Sequence, residues 1–214
     1  MFSRNLNFCI CLLLLSTFAV SSHFIAVAKA EKSATPASDF LKVQVAAVLK
    51  LSSIPVDGKN KAKLDEELLA LIKPMMDFPA MSKASLGKHW DKQSTEQQQK
   101  FISLFQELVF HSYINKIRKA KNEATIAYED ESTREKGGAT VEAVAETKQQ
   151  EIELKFLLRA GNTSKKEAQY VAEDVFIDEV SLVNNYREEF NKIITKDGFS
   201  VLIEKMEKQV KKVK

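Results

Sequence analysis

The sequence predicts an α+β domain in which helices pack around a twisted, four-stranded antiparallel sheet. Three observations carry this prediction. From Asp39 to Ala120 the apolar residues recur three and four apart, the period of helices that bury one face. From Thr125 to Asp178 the period falls to two, and turn-forming stretches divide the region into short runs. Beyond Val180 the helical period returns and lasts to the end of the chain.

The first thirty residues are expected to lie outside the fold. Arg4 supplies a positive head, Phe8–Val20 reads FCICLLLLSTFAV, and Ala28-Lys29-Ala30 has the A-x-A form of a cleavage site. This predicts a secretory signal peptide, cleaved after Ala30. An uncleaved membrane anchor needs about 20 apolar residues, and this run is shorter. Residues 31–38 are small and polar, with Pro36, and read as a disordered leader. Residues 39–214 then form a single domain.

Asp39 opens the first helix, whose stripe is Leu41, Val45, Val48 and Leu49; Pro55 and Asp57-Gly58 end it. The second helix carries Leu64, Leu68, Leu71, Ile72 and Met75, and Pro74 either kinks it or begins a further short turn. Phe78–Trp90 is a short helix that stops near Gly87. Ser94 and Gln97 have the spacing of a capping box and start the longest helix, which runs to about Ala120. Four strands follow: Thr125–Glu129, Ala139–Glu146, Glu151–Arg159 and Gln169–Asp178. Their short connections imply an antiparallel meander. Val180–Phe190, VSLVNNYREEF, starts another helix, broken at Lys196-Asp197-Gly198, and a last helix carries Phe199, Leu202, Ile203 and Met206.

Composition narrows the chemistry. Both cysteines, Cys9 and Cys11, fall in the expected leader. The mature chain therefore has no disulfide, thiolate metal site or cysteine nucleophile, which suits a bacterial periplasm. The formal net charge is +3; the body is near neutral, with lysines interleaved with acids, and the basic excess sits at the end, at Lys205, Lys208, Lys211, Lys212 and Lys214. That run reads as a solvated helix end, or as a contact for anionic headgroups or an acidic partner. Without a basic stripe elsewhere, nucleic-acid binding is not expected. His89 and His111 lack the neighbours of a catalytic or metal site, and no phosphate loop or serine elbow appears. The chain is not expected to be an enzyme, to hold a metal or to need a cofactor.

The strands carry the informative chemistry. Ile152, Leu154, Phe156 and Leu158 share one face of the third strand. Val141, Ala143 and Ala145 share one face of the second, where small residues meet large ones. Such pairing either lets a helix approach closely or leaves a cavity. In the last strand Asp174 interrupts the set Tyr170, Ala172 and Phe176, while Val171, Val175 and Ile177 form the other face. A carboxylate among apolar residues wants a partner, and Arg187 is the nearest candidate. Either the two meet and fix the helix to the strand, or both face water.

Two blocks resemble a known family. DFPAMSKASLGKHW followed by STEQQQKFISLFQELVFHSYINKI contains Phe78, Leu86-Gly87, Trp90, Phe101, Phe105 and Tyr113 in the order of the central MlaC (toluene-tolerance) motif. YVAEDVFIDEVSLVNNYREEFNKIITKDGFSVLIEKM resembles the second block of that family, with Tyr170 where a tryptophan is frequent. The resemblance spans about Phe40 to Gln209, though residues 124–166 match only in pattern.

The resemblance implies one lipid-binding domain, 39–214, with helices around the sheet enclosing an apolar pocket for the acyl chains of a glycerophospholipid. It also tips the alanine-lined strand toward a cavity. It further implies a soluble periplasmic carrier that moves lipid between an outer-membrane lipoprotein–porin complex and an inner-membrane ABC transporter with an MCE-domain subunit, maintaining outer-membrane lipid asymmetry. A carrier of another lipid, such as a hopanoid, and a non-enzymatic periplasmic interaction module remain the alternatives. Periodicity nominates the lipid-facing residues: Phe101, Phe105, Leu108 and Val109 from the long helix; Val141, Ala143, Ile152, Leu154, Phe156, Val171 and Val175 from the sheet; and Leu182, Tyr186 and Phe190 beyond it.

Overall fold

The computed structural model describes residues 36–120, 125–147, 150–162 and 169–213. The expected signal peptide lies outside these residues. The first helix, α1 (Pro36–Ser52), begins earlier than expected: Ala37 and Ser38 are buried, so the end of the supposed leader belongs to the fold. The helix gains by starting there because Ala37 reaches the sheet.

Next come α2 (Lys61–Ile72), a 3₁₀ turn at Lys73–Met75 that absorbs Pro74, and α3 (Phe78–Leu86). The Asp77 side chain caps α3 by accepting from the Ala80 amide at 3.0 Å. Gly87 takes φ +50, a left-handed value that ends α3 without a side-chain penalty. The long α4 (Thr95–Ala120) opens on the capping box that its sequence predicts. Gln97 Oε1 accepts from the Ser94 amide at 2.9 Å, and Ser94 Oγ accepts from the Gln97 amide at 3.3 Å.

The sheet is an antiparallel meander, β1 (Thr125–Thr133), β2 (Ala139–Glu146), β3 (Glu151–Ala160), β4 (Tyr170–Ile177) and β5 (Val180–Ser181), in that spatial order. It thus has five strands, where the alternation in sequence marks four. The extra strand exists because Asp178 (φ +48) and Glu179 (φ +64) form a two-residue turn of the left-handed type that suits a hairpin. Its sequence, Asp-Glu, carries none of the usual glycine signal. Two amphipathic helices, α5 (Leu182–Asp197) and α6 (Phe199–Val213), complete the chain, separated at Gly198.

The apolar interior forms three clusters. In the largest, α3, α4, α5 and α6 pack together around Phe101, Phe105, Tyr186, Phe190, Leu202 and Met206. In the second, the first turns of α1 lie on one face of the sheet. In the third, the last turns of α1 meet α2 and the far end of α4 at Val48, Leu68, Phe110 and Ile114. An ion network locks the third. Asp65 lies 2.6 Å from Arg118 and 2.9 Å from Lys61. Burial alone would raise the Asp65 pKa, but the two cations outweigh it and hold the carboxyl below its usual value.

Candidate functional site

Strand register defines two faces of the sheet. On the inner face Ala139 opposes Leu158, Val141 opposes Phe156, Ala143 opposes Leu154 and Ala145 opposes Ile152. On the other side of β2, Tyr128 opposes Ala143 and Ile126 opposes Ala145. Each of these two alanines therefore lies between two larger side chains, and β2 forms the floor of a groove. The β4 wall continues it with Val175 beside Phe156 and Ile177 beside Leu154.

One end of the groove is covered. Ala37 and Leu41 of α1 bury Ala139, Val141, Leu158 and Ala172, with Phe40, Met76, Tyr128, Phe156, Tyr170 and Val175 packed around them. Beyond α1 the same face runs on through Ile126, Ala145, Ile152, Leu154 and Ile177, all half-buried. A contiguous apolar strip that keeps some access to solvent is the signature of a binding surface rather than of a sealed core. The half-open stretch along β3, from Ile152 to Phe156, is about 13 Å at ~3.3 Å per residue. That is close to the ~15 Å that one leaflet contributes to the hydrocarbon core of a bilayer.

The residues nominated by periodicity divide into two groups. Val141, Ala143, Ile152, Leu154, Phe156 and Val175 all lie on the inner face. Phe101, Phe105, Leu108, Val109, Leu182, Tyr186 and Phe190 lie instead in the helical core. Phe105 stacks on Phe101 at 5.8 Å and meets Tyr186 and Phe190 edge-on at 5.1 and 5.9 Å. These rings satisfy one another, so the expectation of one continuous wall is corrected. Burial raises the Tyr186 phenol pKa, with the Ser112 hydroxyl pulling the other way.

Val171 is also corrected. It pairs with Arg159 on the opposite face from Val175. The cause is a β-bulge: Leu157 pairs with Asp174 but Leu158 with Ala172, leaving Glu173 extra. One inserted residue inverts the alternation, so Tyr170 and Ala172 face inward with Val175 and Ile177.

The bulge likewise decides the fate of Asp174. It does not pair with Arg187. Its carboxylate accepts from the Ser181 hydroxyl, from the Val183 amide at 3.1 Å and from its neighbour Val175 at 2.8 Å. A carboxylate at a helix N-terminus satisfies free amides and complements the helix dipole, so α5 is fixed to β4 without a cation. Ser181 adds a cap to the Asn184 amide at 3.0 Å, which accounts for the start of α5 just ahead of the two asparagines. Arg187 instead donates to the Ala84 carbonyl at 2.7 Å and ties α5 to the end of α3. His89 makes a parallel tie, 2.9 Å from Asn191 Oδ1.

Several groove residues escape the sequence reading. Tyr128, Ile126 and Ile177 complete the inner face, and Tyr128 is buried enough that its phenol is pushed up to about 12. Alternation along Ile126 and Tyr128 is the signal that could have found them. Two cavities border the sheet. One of about 730 Å³ is rimmed by Arg134, Lys136, Arg159 and Glu173. The other, about 390 Å³, has Glu142, Glu153, Lys155 and Glu179 around it and also touches Ala143 and Leu154. Among the described residues no group of His, Cys, Asp and Glu could hold a metal ion.

Comparison with known proteins follows the same lines. The family model described as MlaC protein matches residues 44–208. No curated protein matches the chain in sequence. Among solved structures, the phospholipid-binding protein from Ralstonia solanacearum, in complex with a phospholipid, is similar to this chain with a TM-score of 0.70 and 18% identity. The match covers 84% of this chain and 99% of that chain. At that identity the likeness concerns the fold.

Proposed function

The chain belongs to the MlaC family, and on that footing we propose that it is a soluble periplasmic carrier of glycerophospholipid. The observation that carries the proposal is the inner-face groove, floored by Ala143 and Ala145 and walled by Ile126, Tyr128, Ile152, Leu154, Val175 and Ile177. An acyl chain laid along β2 would bring the half-buried wall residues, and Ala145 of the floor, out of water. Each methylene so sheltered is worth about 0.8 kcal/mol, so a chain of about 16 carbons gains on the order of 10 kcal/mol. A lipid crossing an aqueous compartment needs that shelter, and shelter requires volume and a dry wall rather than directed chemistry. The related phospholipid-bound protein from Ralstonia solanacearum supports the ligand class.

In this reading the protein shuttles lipid between an outer-membrane lipoprotein–porin complex and an inner-membrane ABC transporter with an MCE-domain subunit, and so supports outer-membrane asymmetry. It acts by binding and transport, not catalysis. Lipid extraction and mass spectrometry of protein secreted with its own leader test the ligand. Near-stoichiometric glycerophospholipid is expected. Protein that is folded but lipid-free, or that carries a hopanoid instead, would overturn the proposal.

A further inference from the structure

We infer that the turn joining α1 to α2 is a docking point for a bilayer surface containing anionic phospholipid. Ile54, Pro55 and Val56 stand exposed in succession, Ile54 at 42% and Val56 at 41%. They supply two of the four large apolar residues left exposed among the described residues. A run of exposed apolar residues is a liability for a monomer in water unless something uses it.

The tip is held in shape. Asp57 Oδ1 accepts from the Lys59 and Asn60 amides, both at 2.8 Å. Asn60 accepts from the Asp57 amide at 2.9 Å and donates to the Pro55 carbonyl at 2.9 Å. The carboxylate nearest the tip is therefore engaged by its own turn.

Cations surround the apolar residues. Lys50 ends α1 and Lys59 follows the tip; both are exposed, and neither has a carboxylate partner among the described residues. Lys61 and Lys63 open α2, paired one turn on with Asp65 at 2.9 Å and Glu67 at 3.7 Å. The first turn of α2 contains no acid. An apolar wedge ringed by lysines is the chemistry of interfacial binding: the wedge enters the acyl boundary while the ammonium groups stay at the phosphates.

Charge elsewhere orients the approach. The solvent face of the sheet carries Asp130, Glu142, Glu146, Glu151 and Glu153, with Lys155 among them. That face is repelled by the surface that attracts the tip. A protein groove could also accept an apolar tip, but the two exposed lysines that flank it without a carboxylate partner, Lys50 and Lys59, favour a sheet of phosphates.

The inference rests on the carrier reading only in that a lipid carrier has reason to approach a bilayer. The tip follows the C-terminus of α1, whose opposite end covers the groove, roughly 20 Å away along a helix rising ~1.5 Å per residue. The two sites can therefore fail separately.

The test is co-sedimentation of the full mature chain with vesicles of phosphatidylcholine alone or mixed with phosphatidylglycerol. Wild type is expected to sediment with the mixed vesicles, less so as salt rises from about 50 to about 300 mM and the Debye length shrinks. Ile54→Ser with Val56→Ser, and separately Lys50→Glu with Lys59→Glu, should each cut the bound fraction at least about five-fold. Leu154→Glu, which alters the groove, should leave vesicle binding intact even if lipid content is lost. Wild type that stays in solution overturns the inference, as does binding that survives both tip variants. Binding that is lost instead with Lys208→Glu and Lys211→Glu overturns it too.

Discussion

Leu154→Glu is the sharpest probe of the groove. Leu154 lies on β3 between Ala143 and Ile177 in the portion of the inner face that α1 does not cover. It is half-buried, so a glutamate there can reach water in the empty protein and the fold should survive. With lipid bound, the same carboxylate would face an acyl chain. Losing the leucine contact removes about 1.5–3 kcal/mol, and desolvating the carboxylate costs several kcal/mol more. The sum, about 5 kcal/mol, corresponds to more than a thousand-fold in affinity. Lipid extracted per mole of purified protein should drop below about a tenth of wild type on that estimate, while the far-ultraviolet circular dichroism stays the same. Leu154→Met, which nearly conserves volume, should change affinity by less than about tenfold. A folded Leu154→Glu protein with full lipid content would refute the assignment of the groove.

Further tests address the elements that support it. Val175→Glu should lose lipid yet fold, whereas Val171→Glu, buried on the opposite face, should lower the urea midpoint sharply; equal effects would contradict the bulge. Asp174→Ala removes the acceptor of the Val183 amide and Ser181 hydroxyl, and should cost about 1–3 kcal/mol by urea denaturation, with Arg187→Ala additive to it. The Asp65 carboxyl has a folded pKa below its unfolded value, so its stabilisation is present above about pH 4 and is lost as pH falls through the folded value. Asp65→Asn should therefore be less stable than wild type at pH 7 by about 3 kcal/mol, and the gap should close on acidification. Gly138→Ala places a Cβ 2.5 Å from the Leu158 carbonyl oxygen and should cost about 1–3 kcal/mol, since backbone must move.

Much of the fold was legible because local chemistry specifies it. Ser94 and Gln97 cap each other across a single turn, and no distant residue is needed to decide it. The strand boundaries of β2 follow from clean alternation between turns. The candidate site was legible only in part. Periodicity places Ile152, Leu154 and Phe156 on one face, but it also marks Phe101, Phe105 and Phe190 as apolar without saying what they meet. A helix stripe has the same appearance whether it faces another helix or a lipid.

By itself the sequence determined the α+β class, the order of helices and strands, the absence of cysteine after the expected leader, and the two blocks that resemble the family. Only the tertiary structure decided which apolar residues remain half-open to solvent, and it did so through two non-local events. One is the bulge at Glu173, which inverts the faces of β4, moving Val171 off the groove and Asp174 to the start of α5. The other is the meeting of α3, α4, α5 and α6, which seals their aromatic rings among themselves and leaves the sheet face as the groove. Both depend on register and packing between segments far apart in the chain, and a period read along one segment carries no information about its partner.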